Sequence, residues 1–250
     1  MAKMLAANIM KRLPEDTFTR LCDFMGYGNL EAPVWFIGPE ERLLEDTEKG
    51  IVQHLETRRS FERVECLRSV HIHKLKELTF HRPEPKPQKT WKPMCWIMLW
   101  LANRDPKRST SDALDYQRCH LGVTGGKTFL TELLPLPKKG IRPCDWPVLY
   151  SREFGFQSLE DYRARVLPCR LEMLRALVER YSPPAIVCYG KASWGDYEKL
   201  FGKFTPDEED KKIQIIDSSD GVVICTHHCS RGFTHGRARR IADLIRPKLS

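Results

Sequence analysis

Four short apolar runs, each ending in a break, constrain this chain most: VWFIG (34–38), FLTELLPLP (129–137), AIVCYG (185–190) and VVICTHH (222–228). Runs that are nearly continuous and rich in Val, Ile and aromatic residues fit parallel strands covered on both faces, since neither face alternates to polar. Helical patterns lie between them. In SLEDYRARVLPCRLEMLRALVERYSPP, Ser158 and Asp161 form a capping box, Leu171, Leu174, Leu177 and Val178 share one face, and Pro183 stops the helix. Pro168 should kink that helix or mark its true start. The alternation predicts an α/β fold, a three-layer α/β/α sandwich with a central, mainly parallel four-stranded sheet, and IQIID (213–217) as an edge strand. Residues 1–250 read as a single domain with an insertion or lid around 50–115. There HRPEPKPQKT (81–90) is a proline-rich linker and TWKPMCWIMLWLA (90–102) a buried helix.

Composition narrows the partner. The chain has 41 Lys and Arg against 33 acidic residues, a net charge of +8, and such a surface favours an anionic partner, nucleic acid first. Nine cysteines lie scattered with no C-x-x-C pair, the pattern of a reducing compartment. Cys225 and Cys229 flank Thr226, His227 and His228 without a second ligand pair at structural spacing, so no metal is expected. No apolar run reaches membrane length, and MAKMLAANIMKRL lacks a continuous signal-type core. The expectation is a cytoplasmic monomer with no membrane partner, nucleoid-associated if bacterial. LGVTGGKT imitates a phosphate-binding loop, but Leu121 stands where G-x-x-x-x-G-K-S/T needs its first glycine.

Ligands of open α/β sheets sit at the carboxyl ends of strands. Here those ends carry Gly38-Pro39-Glu40-Glu41, Pro135-Leu136-Pro137, Gly190-Lys191 and His227-His228-Cys229-Ser230, which should converge in space. VWFIGPEE followed by VVICTHHCSRG, with AIVCYGKASW between, resembles the signature motifs of the uracil-DNA glycosylase superfamily over roughly residues 30–246. The order of the motifs carries the resemblance more than any one of them.

The resemblance implies a DNA glycosylase that flips a damaged or modified base and hydrolyses its N-glycosidic bond, leaving an abasic site, with DNA as partner and no cofactor. Breaking that bond develops positive charge on the sugar and negative charge on the base, so the site needs a carboxylate near C1′ and a donor at the base oxygen. By resemblance, Glu40 or Glu41 supplies the carboxylate and His228 the donor. His227 is equally available by chemistry alone. Gly38 and Pro39 belong to the glycine-led loop at the base, while Ser230, Arg231, Phe233 and Arg237, with Arg239, Arg240 and Lys191, are implied to grip phosphates or wedge the duplex. His54, Phe61 and Trp91 are candidates to stack on the base.

One departure bears on the substrate. Some branches of the superfamily read the base with an asparagine near the end of the second core strand, where this chain has Glu132. A carboxylate offers no donor to the 4-oxygen of uracil but suits an exocyclic amino group. Either Glu132 is protonated, or it points elsewhere, or the substrate is not plain uracil. The cysteine pattern of an iron–sulfur cluster is absent, and no cluster is expected. The alternatives are a noncatalytic member that senses a base, a defence glycosylase acting on modified bases of invading DNA, and a nucleosidase sharing the sheet.

Overall fold

A computed structural model describes residues 13–43, 45, 47–106, 110–140, 146–230 and 232–249. Its strands are β1 (Gly26–Gly28), β2 (Val34–Arg42), β3 (Val64–Glu65), β4 (Thr128–Lys138), β5 (Ala185–Tyr189), β6 (Thr205–Pro206), β7 (Ile213–Asp217) and β8 (Val222–Thr226). They form one sheet in the order β3-β1-β4-β2-β5-β8-β7-β6. The four apolar runs are the central strands β4, β2, β5 and β8, and all four are parallel. β1 pairs antiparallel with β4, and β7 pairs antiparallel with β8 and β6.

The sheet is therefore mixed and eight-stranded, which corrects the four-stranded expectation. The added strands GYG, VE and TP are too short to show any periodicity and exist by backbone pairing with a neighbour. IQIID is a strand, but β6 lies outside it, so it is not the edge.

Helices cover both faces of the sheet. Trp35, Ile37, Phe129, Leu133, Ile186 and Cys188 face a core shared with α1 (Thr17–Asp23), α2 (Glu48–Arg59), α6 (Val148–Phe154), α7 (Leu159–Tyr181) and α8 (Trp194–Phe201). Val34, Phe36, Leu130, Val187 and Ile224 face a second core. That core is closed by α3 (Leu67–Ser69), α4 (Trp91–Leu101), α5 (Thr110–Cys119) and α9 (His235–Ile245), with α4 buried from Pro93 to Leu99.

In α7, Ser158 caps the first turn by accepting from the Asp161 N–H at 3.1 Å, and the Asp161 carboxylate reaches back to the Gln157 N–H at 3.0 Å. The helix runs unbroken through Pro168, so Pro168 does not mark its start. Pro168 lies on the exposed side, where water can serve the carbonyl whose partner the ring removes. The proline-rich segment is stapled rather than loose. Buried Gln117 of α5 donates to the carbonyls of Phe80 (3.1 Å) and Lys86 (3.0 Å) and accepts from the Gln88 N–H (2.8 Å).

Connections leave β2 toward β4 on one side and β5 toward β8 on the other. The carboxyl ends of β2 and β5 thus adjoin at the point where the winding reverses, the place where such sheets bind ligands.

Candidate active site

Three strand ends meet at this reversal. A Cβ on Gly38 would stand 2.2 Å from the Tyr189 hydroxyl, and one on Gly190 would stand 3.6 Å from Pro39 and 3.9 Å from His228 Cδ2. Gly190 has φ 108°, which L side chains rarely adopt, so glycine lets β5 turn away between the two neighbours. The Gly190 N–H donates to the Thr226 carbonyl at 3.0 Å, joining the ends of β5 and β8. The Tyr197 hydroxyl lies 3.1 Å from the Ile37 carbonyl and 3.0 Å from that of Tyr189, fixing β2 against β5.

The two histidines that chemistry alone leaves equivalent face opposite sides of the sheet, as consecutive residues at a strand end do. His228 meets the Tyr189 ring edge to face, centroids 5.6 Å apart, whereas His227 meets Trp194 at 5.7 Å. His227 has its pKa lowered by burial and by Arg237, Lys191 and Lys212 around it, with Asp210 opposing. At His228 the Ser230 N–H donates to Nδ1 at 3.2 Å and the Ser230 hydroxyl lies 2.8 Å from the same nitrogen. A backbone N–H can only donate, so Nδ1 is an acceptor and the neutral ring carries its proton on Nε2. Ser230 thus orients His228.

Three carboxylates reach the same end of the sheet in different company. Glu40 pairs with Lys138 at 3.0 Å, their side chains only 10% and 5% exposed. Glu41 pairs with the buried Arg58 of α2, and His54 Nε2 lies 4.0 Å from the same Glu41 oxygen. Burial pushes the His54 pKa down to about 4, so Arg58 and not His54 is the cation of that group. Glu132 is the register partner of Gly38. No hydrogen bond or ion pair holds its side chain among the described residues. Burial pushes its pKa up to about 7; Arg58 opposes the shift, the Glu40 carboxylate adds to it, and Arg170 opposes it again.

The expected grip on DNA is largely turned inward. Arg237 is 6% exposed, paired with Asp210 at 2.7 Å and bonded to the Gly232 carbonyl at 3.3 Å, with its guanidinium 5.5 Å from the Phe233 ring centre. This corrects its assignment to phosphate, because a buried, paired guanidinium pins the loop instead. It leaves Phe233 packed against the core. Arg240 pairs with Asp207 and Glu209, and Arg239 with Asp243. Lys191 is exposed beside Gly190, and Arg231 lies outside the described residues. Phe61 packs edge to face on Phe24 under Arg58 and Lys74, and Trp91 packs with His71, Phe80 and His81, so neither stacks at the site.

Sequence reasoning missed Tyr189, Lys138, Arg58 and Arg170. Tyr189 closes an apolar run and reads as core; strand alternation from Val187 is the signal that would place it on the His228 face. Lys138 and Arg58 meet their carboxylates, and Arg170 its backbone carbonyls, only through the fold. Among the described residues no group of three or more His, Cys, Asp or Glu is placed to hold a metal, no disulfide forms, and no helix is long and apolar enough to cross a membrane. Two cavities, of about 690 and 280 Å³, are lined by none of Glu40, Glu132, Tyr189 and His228. No model of a known protein family matches the chain and no curated protein matches it, so the functional reading stands on this geometry.

Proposed function

We propose that the protein is a DNA glycosylase that draws a damaged or modified base out of DNA and hydrolyses its N-glycosidic bond. The observation that carries this reading is the meeting of Pro39, which leads into Glu40, and His228 on either side of Gly190. In this reading the Glu40 carboxylate faces the sugar, where positive charge develops, and positions the attacking water. His228, its Nε2 proton set by the Ser230 contact, donates to the base oxygen as negative charge builds there. Tyr189 lines the space between Gly38 and His228. Glu41, held by Arg58 beside His54, is assigned to structure, whereas Glu40, although paired with Lys138, is the carboxylate whose charge reaches Glu132 and Tyr189.

The test is incubation of duplexes and single strands carrying single altered bases, followed by detection of alkali-labile abasic sites. Base release that disappears in Glu40→Gln supports the reading. Binding of the altered base without release in the wild type refutes it in favour of a noncatalytic sensor.

A second reading, a nucleosidase acting on free nucleosides, is favoured by the inward pairing of Arg237 and Arg240, which leaves fewer cations for phosphate. Turnover of free nucleosides, with duplex affinity lacking a steep salt dependence, would select it.

A further inference from the structure

Glu132 is the one carboxylate at the site held by neither an ion pair nor a hydrogen bond among the described residues. Its backbone is fixed. Arg170 of α7 donates to the Glu132 carbonyl at 2.7 Å and to that of Leu133 at 3.3 Å. Its side chain shares the sheet face of Gly38, its register partner, over whose bare Cα the Tyr189 hydroxyl lies. Tyr189 reaches from there to His228. A pyrimidine lying along this tyrosine, with its 2-oxygen at His228, presents N3 and the 4-substituent toward Glu132.

A side-chain amide would supply one donor and one acceptor to that edge without the penalty of enclosing an acid. A carboxylic acid supplies the same pair and adds one thing, a proton that can leave. Uracil has no use for that proton, since its N3 already carries hydrogen. Cytosine is a poorer leaving group with an empty N3 lone pair, and a proton there neutralises the departing base. Resting on the glycosylase reading, we infer that the base released is an aminopyrimidine, cytosine or a 5-substituted cytosine, and that Glu132 reads its N3 and 4-amino edge and protonates N3 as the bond breaks.

The step balances. The C1′–N1 bond breaks with its electron pair passing into the base. The Glu132 O–H proton moves to N3, leaving the O–H pair on the carboxylate. Water forms the new C1′–O bond and gives its proton to the Glu40 carboxylate, and solvent returns Glu132 to its acid form. The groups facing Glu132 suit a proton held near neutrality: Arg58 from α2 and Arg170 from α7 favour the anion, Glu40 from β2 favours the acid, and the hydroxyls of Tyr27 from β1 and Tyr189 from β5 also feel its charge. A general acid works best with a pKa near the working pH.

The experiment uses matched duplex pairs that differ only by 4-amino against 4-oxo: cytosine and uracil, 5-methylcytosine and thymine, 5-hydroxymethylcytosine and 5-hydroxymethyluracil. Single-turnover base release is followed from pH 5.5 to 8.5. The amino member of at least one pair should be released at least about 10-fold faster, with the rate falling as pH rises through about 7. Glu132→Gln should lose that release by about 100-fold or more together with its pH dependence, while Glu132→Asp, which keeps a transferable proton, retains the pH dependence at a reduced rate. Faster release of the oxo member in every pair overturns the inference and leaves the glycosylase reading standing. Undiminished release by Glu132→Gln does the same. Release of no base at all overturns both.

Discussion

The two ends of the central strands differ in what they offer a ligand. At the amino ends lies the larger cavity, about 690 Å³, walled by Val34, Met98, Leu99, Leu101 and Val123. Two of the cations on its rim are engaged, Arg104 with Asp112 at 2.7 Å and Lys248 with Asp217 at 2.9 Å. At the carboxyl ends Glu40, Glu132, Tyr189 and His228 lie together, and one of them has its pKa moved into the neutral range. Volume alone would favour the amino end. Chemistry favours the other, because strand alternation and the reversal of winding bring polar side chains from several strands to one point there.

That contrast is broken most readily by paired substitutions. Glu40→Gln or His228→Ala should lower single-turnover base release by about 100-fold or more, while Lys127→Ala at the amino-end cavity leaves it unchanged. Equal effects at the two ends would contradict the assignment. Arg170→Met should cost about 3 kcal/mol of stability in chemical denaturation. It strips donors from the carbonyls of Cys22, Phe24, Glu132 and Leu133 inside the protein. A loss below about 1 kcal/mol would show that water serves those carbonyls equally well.

Glu132 gives a pH signature to the carboxyl end. Its folded pKa of about 7 lies above the ordinary 4.5, so the folded protein holds more protons than the unfolded chain between those values. Stability should therefore fall as pH rises through that window, by up to about 3 kcal/mol, and Glu132→Gln should flatten the curve. Denaturation at pH 5 and pH 8 measures it. Gly190→Ala, strained at φ 108° and set against Pro39 and His228, should cost about 1–3 kcal/mol and lower activity with it. The smallest effect belongs to exposed Lys191: Lys191→Ala should reduce the salt dependence of DNA binding by about one phosphate contact. Arg237→Lys should leave that dependence alone and lower stability, since the guanidinium it replaces is buried on Asp210.

The same contrast explains what was legible in the residues. The four central strands announce themselves because burial on both faces excludes polar residues from VWFIG, AIVCY and their neighbours. GYG, VE and TP carry no such mark, so the sheet reads three strands too narrow. The chain order of the Glu40 and His228 turns was enough to expect them to meet at one end of the sheet. Partnership was not legible, because charge in a sequence does not say what it will face. Arg237 looks like a phosphate ligand until Asp210, distant in the chain, closes on it. Glu40 and Glu41 look interchangeable until Lys138 takes one and Arg58 the other.

The most direct test is a crystal structure with a duplex bearing a 2′-fluoro nucleotide of the preferred base, in which the electron-withdrawing fluorine slows loss of the base. The account predicts that base swung out of the helix, its 2-oxygen within hydrogen-bonding distance of His228 Nε2 and its C1′ toward Glu40. A base left stacked in the duplex, or lodged in the cavity between Met98 and Val123, would contradict it.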